Sequence, residues 1–182
     1  MVKIKRVLSI DASTTTIGIG VLDYCPEDKK VRLVHQEYFK PSKKGSIFER
    51  LAGVKEYMQG LYVQWQPDIV CIEDIVQFMG GGSTAKTIIP LAVFNRTVGL
   101  TWYELMGREP ELLSVMKIRH AIKYGKKLPP KEDIPELVAK RLGINFPYYT
   151  KINRRSKKEE VRVESYDVAD AIAVGLAYII KS

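Results

Sequence analysis

The sequence has 182 residues, of which 46% are hydrophobic and 27% charged, which is typical of a globular protein and excludes a disordered or fibrous chain. No run of 18 apolar residues occurs, and few apolar residues follow the charged N-terminus, so we expect neither a membrane span nor a signal peptide. Two cysteines and two histidines exclude a disulfide framework and a histidine-rich zinc site, and we expect a reduced, soluble, cytoplasmic protein.

The first 65 residues predict three strands and a helix. Residues 5–11, 16–23 and 31–39 are apolar or alternating segments separated by turn-forming residues, which indicates an antiparallel meander. Residues 46–65 carry apolar side chains at helical spacing, and Pro67 follows the end of that pattern.

The next segments alternate between strand and helix patterns. Residues 69–73 form a short apolar run typical of a buried parallel strand, and residues 84–106 predict a long helix that Pro90 either bends or begins. Residues 111–115 fit a short fifth strand.

Two helices complete the predicted order, over residues 132–142 and 166–180. The succession of elements predicts an α/β fold, with a five-stranded mixed sheet and helices on both faces. We expect one domain over residues 1–182.

Four carboxylates stand out by their positions. Asp11 ends the first predicted strand and Glu73 the fourth, while Asp167 and Asp170 are three residues apart at the start of an otherwise apolar helix. The two strand ends meet at one crevice if these strands are neighbours in the sheet. Taken one at a time, Asp167 could instead be a helix-capping acid and Asp11 a turn acid, with no role in a functional site.

Together these acids favour a site for Mg²⁺ or Mn²⁺. Hard oxygen ligands with almost no His or Cys nearby suit those ions rather than zinc. Two such ions about 4 Å apart activate water and stabilise the leaving oxygen in phosphodiester hydrolysis. The pattern therefore indicates a metal-dependent nuclease.

The positive charge is concentrated in one stretch. Residues 117–158 contain 13 Lys and Arg but three acids, within a chain whose net charge is +8. Such a stretch is typical of a polyanion-binding surface, although a solvated lysine-rich surface is the alternative. Turn-forming residues flank Lys126, Lys127, Arg154 and Arg155, so we expect these side chains to reach phosphates.

Three segments resemble the acidic motifs of the RuvC family of Holliday-junction resolvases, in the same order along the chain. They read VLSIDASTTTIGIGVLD, VCIEDIVQF and SYDVADAIAVG. The resemblance implies an RNase H-like nuclease domain that binds two Mg²⁺, for which Mn²⁺ can substitute, through Asp11, Glu73, Asp167 and Asp170. It further implies a homodimer that places symmetric paired nicks in a four-way DNA junction.

The resemblance also implies DNA contacts. The segment IRHAIKYGKKLPPKEDI is similar to the family's basic stretch, in which Arg119 and Lys131 take the positions of two lysines. Val76 stands where the family has an aromatic residue that stacks on junction bases, and Phe78 is the candidate replacement. The cationic residues we expect to bind DNA are Arg119, Lys123, Lys126, Lys127, Lys131, Arg154 and Arg155.

Three other functions stay open at the level of sequence. The same nuclease chemistry could act on flaps, forks or RNA–DNA hybrids, which substrate competition would decide. A non-catalytic junction-binding module would show no metal-dependent turnover. An actin-like kinase or ATPase shares the opening motif but normally needs two such domains, for which this chain is too short.

Overall fold

A computed structural model of the chain describes residues 3–75, 84–153 and 155–182. Phe78 and Arg154, two of the expected DNA contacts, lie outside the described residues. No helix in the described part of the chain has the length and apolarity needed to cross a membrane.

Five strands form a mixed sheet, as the sequence predicts. They are β1 (Lys5–Ala12), β2 (Ile17–Tyr24), β3 (Val31–Phe39), β4 (Ile69–Asp74) and β5 (Glu111–Ser114). Their order in space is β3-β2-β1-β4-β5, in which β1 to β3 are antiparallel neighbours and β4 is parallel to both β1 and β5. The predicted neighbourhood of the first and fourth strands is therefore confirmed.

Helices cover both faces of this sheet. They are α1 (Ile47–Trp65), α2 (Ala85–Met106), α3 (Val115–Ile122), α4 (Ile134–Leu142) and α5 (Glu164–Lys181). One apolar core lies between the sheet and α1 and α2, and a second lies between the sheet and α3, α4 and α5. The five-stranded α/β architecture with helices on both faces is thus confirmed.

The alternation of side chains along β1 assigns its residues to the two cores. Leu8 and Ile10 pack in the core under α1 and α2, while Val7 packs in the core under α5. Because successive side chains point to opposite faces, Ser9 and Asp11 share the α5 face with Val7.

Helix α5 lies unusually close to the sheet. A Cβ built on Gly18 would stand 2.2 Å from the carbonyl oxygen of Asp167, and one built on Gly20 would stand 2.9 Å from Ile172. On the helix, a Cβ at Gly175 would stand 2.5 Å from Leu22. Only residues without a side chain permit this approach, which brings the first turn of α5 against β2.

One helix and one hairpin are absent from the sequence-based assignment. One is helix α3, which begins after Ser114, whose side chain accepts a hydrogen bond from the Lys117 amide at 3.4 Å. The other is a hairpin of β6 (Thr150–Ile152) and β7 (Glu159–Val161), whose strands are too short for a periodic pattern. In α2, the helix begins at Ala85, so Pro90 does not mark its start.

Candidate active site

Asp11 and Glu73 lie side by side at one edge of the sheet. The last parallel pair between β1 and β4 is Ile10 with Ile72, and the two acids follow it directly. Since Ser9 and Cys71 are also paired, the residues two positions further along, Asp11 and Glu73, point to the same face of the sheet. That face is the one covered by α5.

The first turns of α5 carry the other two acids to the same place. Gly18, over which the Asp167 carbonyl lies, is the register partner of Asp11 in β2. The helical spacing puts Asp167 and Asp170 on one side of α5. All four carboxylates line one cavity of about 270 Å³.

Two of the predicted DNA-binding cations line this cavity as well. The ammonium of Lys131 lies 3.0 Å from Asp170 Oδ2 and 3.6 Å from Asp167 Oδ1. Arg119, on α3, lines another part of the wall. Helix α3 and the short 3-10 turn at Lys131–Asp133 thus face the carboxylates with positive charge.

The acids are harder to ionise than isolated carboxyls. Burial raises the pKa of Asp11 well above its ordinary value, and the neighbouring Glu73 and Asp170 raise it further. Burial and the charge of Asp170 raise the pKa of Glu73 to about 7, although Lys131 and Arg119 act in the opposite direction. Burial likewise raises the pKa values of Asp167 and Asp170 despite the nearby Lys131. Burial, together with the proximity of the carboxylates to one another, thus disfavours their ionised forms.

The donor set has the chemistry that a hard divalent cation requires. Four carboxylates offer oxygen ligands, and their surplus negative charge favours a bound cation. As the side chains are positioned, however, no three His, Cys, Asp or Glu residues in ranges 3–75, 84–153 and 155–182 stand close enough to hold a metal unaided. The Lys131 ammonium is the group that contacts the carboxylates of α5 here.

The structure also brings in residues that the sequence analysis missed. The side-chain amide of Asn95, on α2, donates a hydrogen bond of 2.8 Å to the carbonyl of Glu73 and is 2% exposed. Next to it, Arg96 forms an ion pair of 2.8 Å with Asp74. These contacts tie the end of β4 to α2. The available signal was a polar residue, Asn95, that directly follows the apolar residues 91–94.

Another missed residue secures the loop that follows Asp11. Arg50, on α1, donates a hydrogen bond of 2.7 Å to the carbonyl of Thr14 and another of 2.6 Å to that of Ser42. Its guanidinium also lies over the ring of Phe94. One side chain therefore connects the β1–β2 loop, the segment before α1 and helix α2.

The other predicted cations within the described residues lie away from the cavity lining. Lys123 follows the last residue of α3 and is half-buried, whereas Lys126 and Lys127 are exposed in the connection that leads to Lys131. Arg155 is exposed in the turn of the β6–β7 hairpin. The structure thus separates the basic stretch into cations within the site and cations around it.

Comparison with known proteins yields one sequence relative and several similar folds, while no family model matches the chain. The crossover junction endodeoxyribonuclease RuvC of Fusobacterium nucleatum is 27% identical over 146 residues, which are 77% of this chain and 70% of the relative. RuvC of Thermus thermophilus has a similar fold, with a TM-score of 0.68, 22% identity, and coverage of 98% of this chain and 94% of that one.

Two further structures extend the similarity in fold. T. thermophilus RuvC in complex with a Holliday junction substrate gives a TM-score of 0.67, with 21% identity and coverage of 98% and 94%. The yeast mitochondrial Holliday junction resolvase Ydc2 gives 0.63, with 14% identity and coverage of 97% of this chain and 78% of that one. The sequence match supports the resemblance to the RuvC family that the three acidic motifs indicate, and the structures show that the chain shares the fold of these resolvases.

Proposed function

We propose that this chain is an endonuclease that resolves four-way DNA junctions with the help of a bound divalent metal. The observation that carries the proposal is the convergence of Asp11, Glu73, Asp167 and Asp170 on one cavity beside Lys131 and Arg119. The RuvC relative and the resolvases of similar fold support a junction as the substrate.

The carboxylates have the role of holding the metal and the reacting water. Asp11, Glu73 and Asp170 would bind Mg²⁺ or Mn²⁺, with Asp167 as a further ligand or as the group that orients water. When bound, such ions lower the pKa of water and stabilise the leaving oxygen of a phosphodiester. Burial and the nearby carboxylates raise the pKa values of Asp11 and Glu73, and a bound cation would favour their ionised forms.

The cations have the role of binding the scissile phosphate. Lys131 pairs with Asp170 and Asp167 in the free protein, and its side chain is 49% exposed, so its ammonium can also reach a ligand in the cavity. Arg119 adds a planar guanidinium suited to bidentate phosphate contacts. The exposed Lys126 and Lys127 extend positive charge from the cavity towards the DNA arms.

Two symmetric nicks in one junction require two active sites, which two associated copies of the chain would provide. Helix α2 exposes an apolar row of Ile89, Val93, Leu100 and Tyr103, whose exposed fractions are between 38% and 61%. Their spacing of four, seven and three residues forms one seam along the helix, as in helix–helix interfaces. We assign this seam to a homodimer, and residues 1–182 to one nuclease domain in each copy.

A light-scattering measurement tests the dimer. Wild type should elute at about twice 20.7 kDa, and Leu100→Asp should elute as a monomer because a charge would be buried at the seam. Lys86→Asp, on an exposed position near the start of α2, is the matched control and should stay dimeric. A wild-type monomer, both free and with junction DNA, would contradict the assignment.

A cleavage assay tests the reaction. A labelled four-way junction should receive symmetric paired nicks in Mg²⁺ but not in EDTA, and Asp11→Asn should abolish cleavage while junction binding persists. Flaps, forks, linear duplex and an RNA–DNA hybrid serve as competing substrates. Preferred cleavage of any of these would contradict the junction as substrate, and tight junction binding without turnover would contradict the enzymatic role.

A further inference from the structure

The β6–β7 hairpin, at the end of the basic stretch, forms a two-stranded sheet separate from the central sheet. Its strands pair through Thr150 with Val161 and Ile152 with Glu159. With about 3.3 Å per strand residue, its tip stands roughly 10 Å beyond its base.

The turn of this hairpin is organised by one side chain. Asn153 Oδ1 accepts hydrogen bonds from the amides of Arg155 at 2.9 Å and Ser156 at 3.1 Å, while its Nδ2 donates to Glu160 at 2.6 Å. Backbone hydrogen bonds link Asn153 with Lys157 and Lys158 across the turn. The turn is therefore preorganised, which lowers the entropic cost of binding a ligand.

The base of the hairpin is attached to the start of α5. The Arg162 amide donates to the Tyr149 carbonyl at 2.8 Å, and Ser165 Oγ accepts from the Tyr149 amide at 2.9 Å. Buried Glu164 pairs with Arg162 and with Lys40 at the end of β3. Since Asp167 comes three residues after Glu164, the hairpin is anchored beside the carboxylate cavity.

The exposed charges of the hairpin are predominantly cationic. Residues 150–161 contain five Lys and Arg against two Glu. In the part of the chain that the structure describes, Lys151, Arg155, Lys157 and Lys158 are exposed and none forms an ion pair. Four such charges on one hairpin match the negative backbone of nucleic acid.

We propose that the β6–β7 hairpin is a second DNA contact, which binds the phosphate backbone of a duplex arm outside the cleavage cavity. This inference rests on the proposed function for its choice of DNA. It separates the cations by role: the hairpin contributes affinity for the arm, whereas Lys131 and Arg119 act at the scissile phosphate. Loss of the hairpin charges should therefore weaken binding and leave the rate of the chemical step unchanged.

The test compares three triple variants by binding to a four-way junction in EDTA, where no cleavage occurs. The first changes Lys151, Arg155 and Lys158 to alanine and spares Lys157, whose φ of 57° is left-handed. The second keeps the charge with Lys151→Arg, Arg155→Lys and Lys158→Arg. The third is the matched control, which changes Lys3, Lys5 and Lys181 to alanine. These residues lie at the start of β1 and the end of α5, away from the ends that carry Asp11 and Asp167.

We expect the alanine variant of the hairpin to raise Kd at least tenfold at moderate salt. Its plot of log K against log salt should become shallower by about 0.9 for each phosphate that the variant no longer binds. The charge-preserving variant and the control should bind as wild type does. Circular dichroism spectra should coincide for all of them, and the single-turnover cleavage rate at saturating protein should stay within about twofold of wild type.

Equal affinity and salt dependence in the hairpin variant and the wild type would overturn the inference, as would an equal loss in the opposite-end control. A slower single-turnover step would overturn the separation of roles. Because binding is measured without metal, the hairpin result stands apart from catalysis. Failure of wild type to cleave any DNA would contradict the proposed function alone.

Discussion

The two ends of the central sheet hold their carboxylates under opposite electrostatic conditions. At one end, Asp23 accepts hydrogen bonds from Arg6 at 2.8 and 3.0 Å and from Arg32 at 3.4 Å. The hydrogen bonds with Arg6 lower the pKa of Asp23, and Arg32 lowers it further. Two guanidinium groups thus pair with the one carboxylate of Asp23, and these contacts stabilise the fold.

At the other end, four carboxylates share one cavity with Lys131 and Arg119. Burial and mutual repulsion raise their pKa values, as shown most clearly by Asp11 and Glu73. A set of acids that is unfavourable for the free protein is typical of a functional site, where a bound ion supplies the missing charge. Asp23 thus has contacts that stabilise the fold, whereas the four acids of the cavity are those that we propose bind a metal ion.

The largest effect is expected where α5 meets the sheet. In Gly18→Ala the new methyl would overlap the Asp167 carbonyl, which is 2.2 Å from the Cβ position. We expect a loss of roughly 3 kcal/mol of unfolding free energy, together with loss of cleavage, because the first turn of α5 must move away from Asp11. Urea unfolding and the junction assay measure the two effects.

The control for that variant is Gly53→Ala, on α1, where a Cβ meets no atom within 4 Å. It should be neutral or stabilising by up to about 1 kcal/mol, because alanine is the better helix former. Equal stability of the two variants would show that the close approach of α5 to β2 is not what positions the acids.

Asp23→Asn tests the carboxylate that serves the fold. The substitution leaves Arg6 without its charged partner in a half-buried position, so we expect a loss of about 2 kcal/mol in unfolding free energy with cleavage intact. Asp28→Asn removes an exposed pair with Lys30 and should have no measurable effect on stability. An Asp23→Asn protein as stable as wild type would contradict the role of Asp23 in stabilising the fold.

The contribution of the Glu164 carboxylate to the free energy of unfolding depends on pH. Burial acts to raise the pKa of Glu164, but its pairs with Lys40 and Arg162 are stronger and lower it to about 2, from an ordinary value of 4.5. A carboxyl whose pKa is lower in the folded state stabilises the protein above about pH 4.5, and that stabilisation is lost as the pH falls towards 2.

We expect this acid-dependent loss to be roughly 1–2 kcal/mol, since both partners are partly exposed and screened by solvent. Thermal unfolding between pH 2 and 6 should show a shallower dependence in Glu164→Gln than in wild type. Parallel curves for the two proteins would show that the ion pairs at the base of the hairpin do not stabilise the fold.

The smallest effect is a gain in stability from removing a site acid. In EDTA, Asp11→Asn removes a buried carboxylate and its repulsion from Glu73 and Asp170, and we expect about 1 kcal/mol of added unfolding free energy. The same protein should not cleave DNA. Destabilisation of Asp11→Asn in EDTA would instead place this carboxylate with Asp23 among the acids that serve the fold.

Local sequence patterns were sufficient to predict the mixed sheet and the positions of the four acids on their elements. Asp11 and Glu73 end apolar runs whose length and composition identify strands, and Asp167 and Asp170 begin an apolar helix. These are signals of short range, because each depends only on neighbours along the chain. The homodimer, the bound metal and the individual DNA contacts stay predictions.

Contacts between distant segments were decided by the tertiary structure. The ion pairs of Lys131 with Asp170 and Asp167, and the hydrogen bond from Asn95 to Glu73, join residues that no local pattern relates. The β6–β7 hairpin also escaped prediction, since three-residue strands show no period and its turn depends on the side chain of Asn153.

The sequence by itself therefore determined which residues are candidates for the chemistry and on which elements they lie. The tertiary structure decided which of them meet. The physical reason is that Gly18 and Gly20 have no side chain, so α5 packs closely against the sheet. Only this packing brings the carboxylates of α5 close to those of β1 and β4.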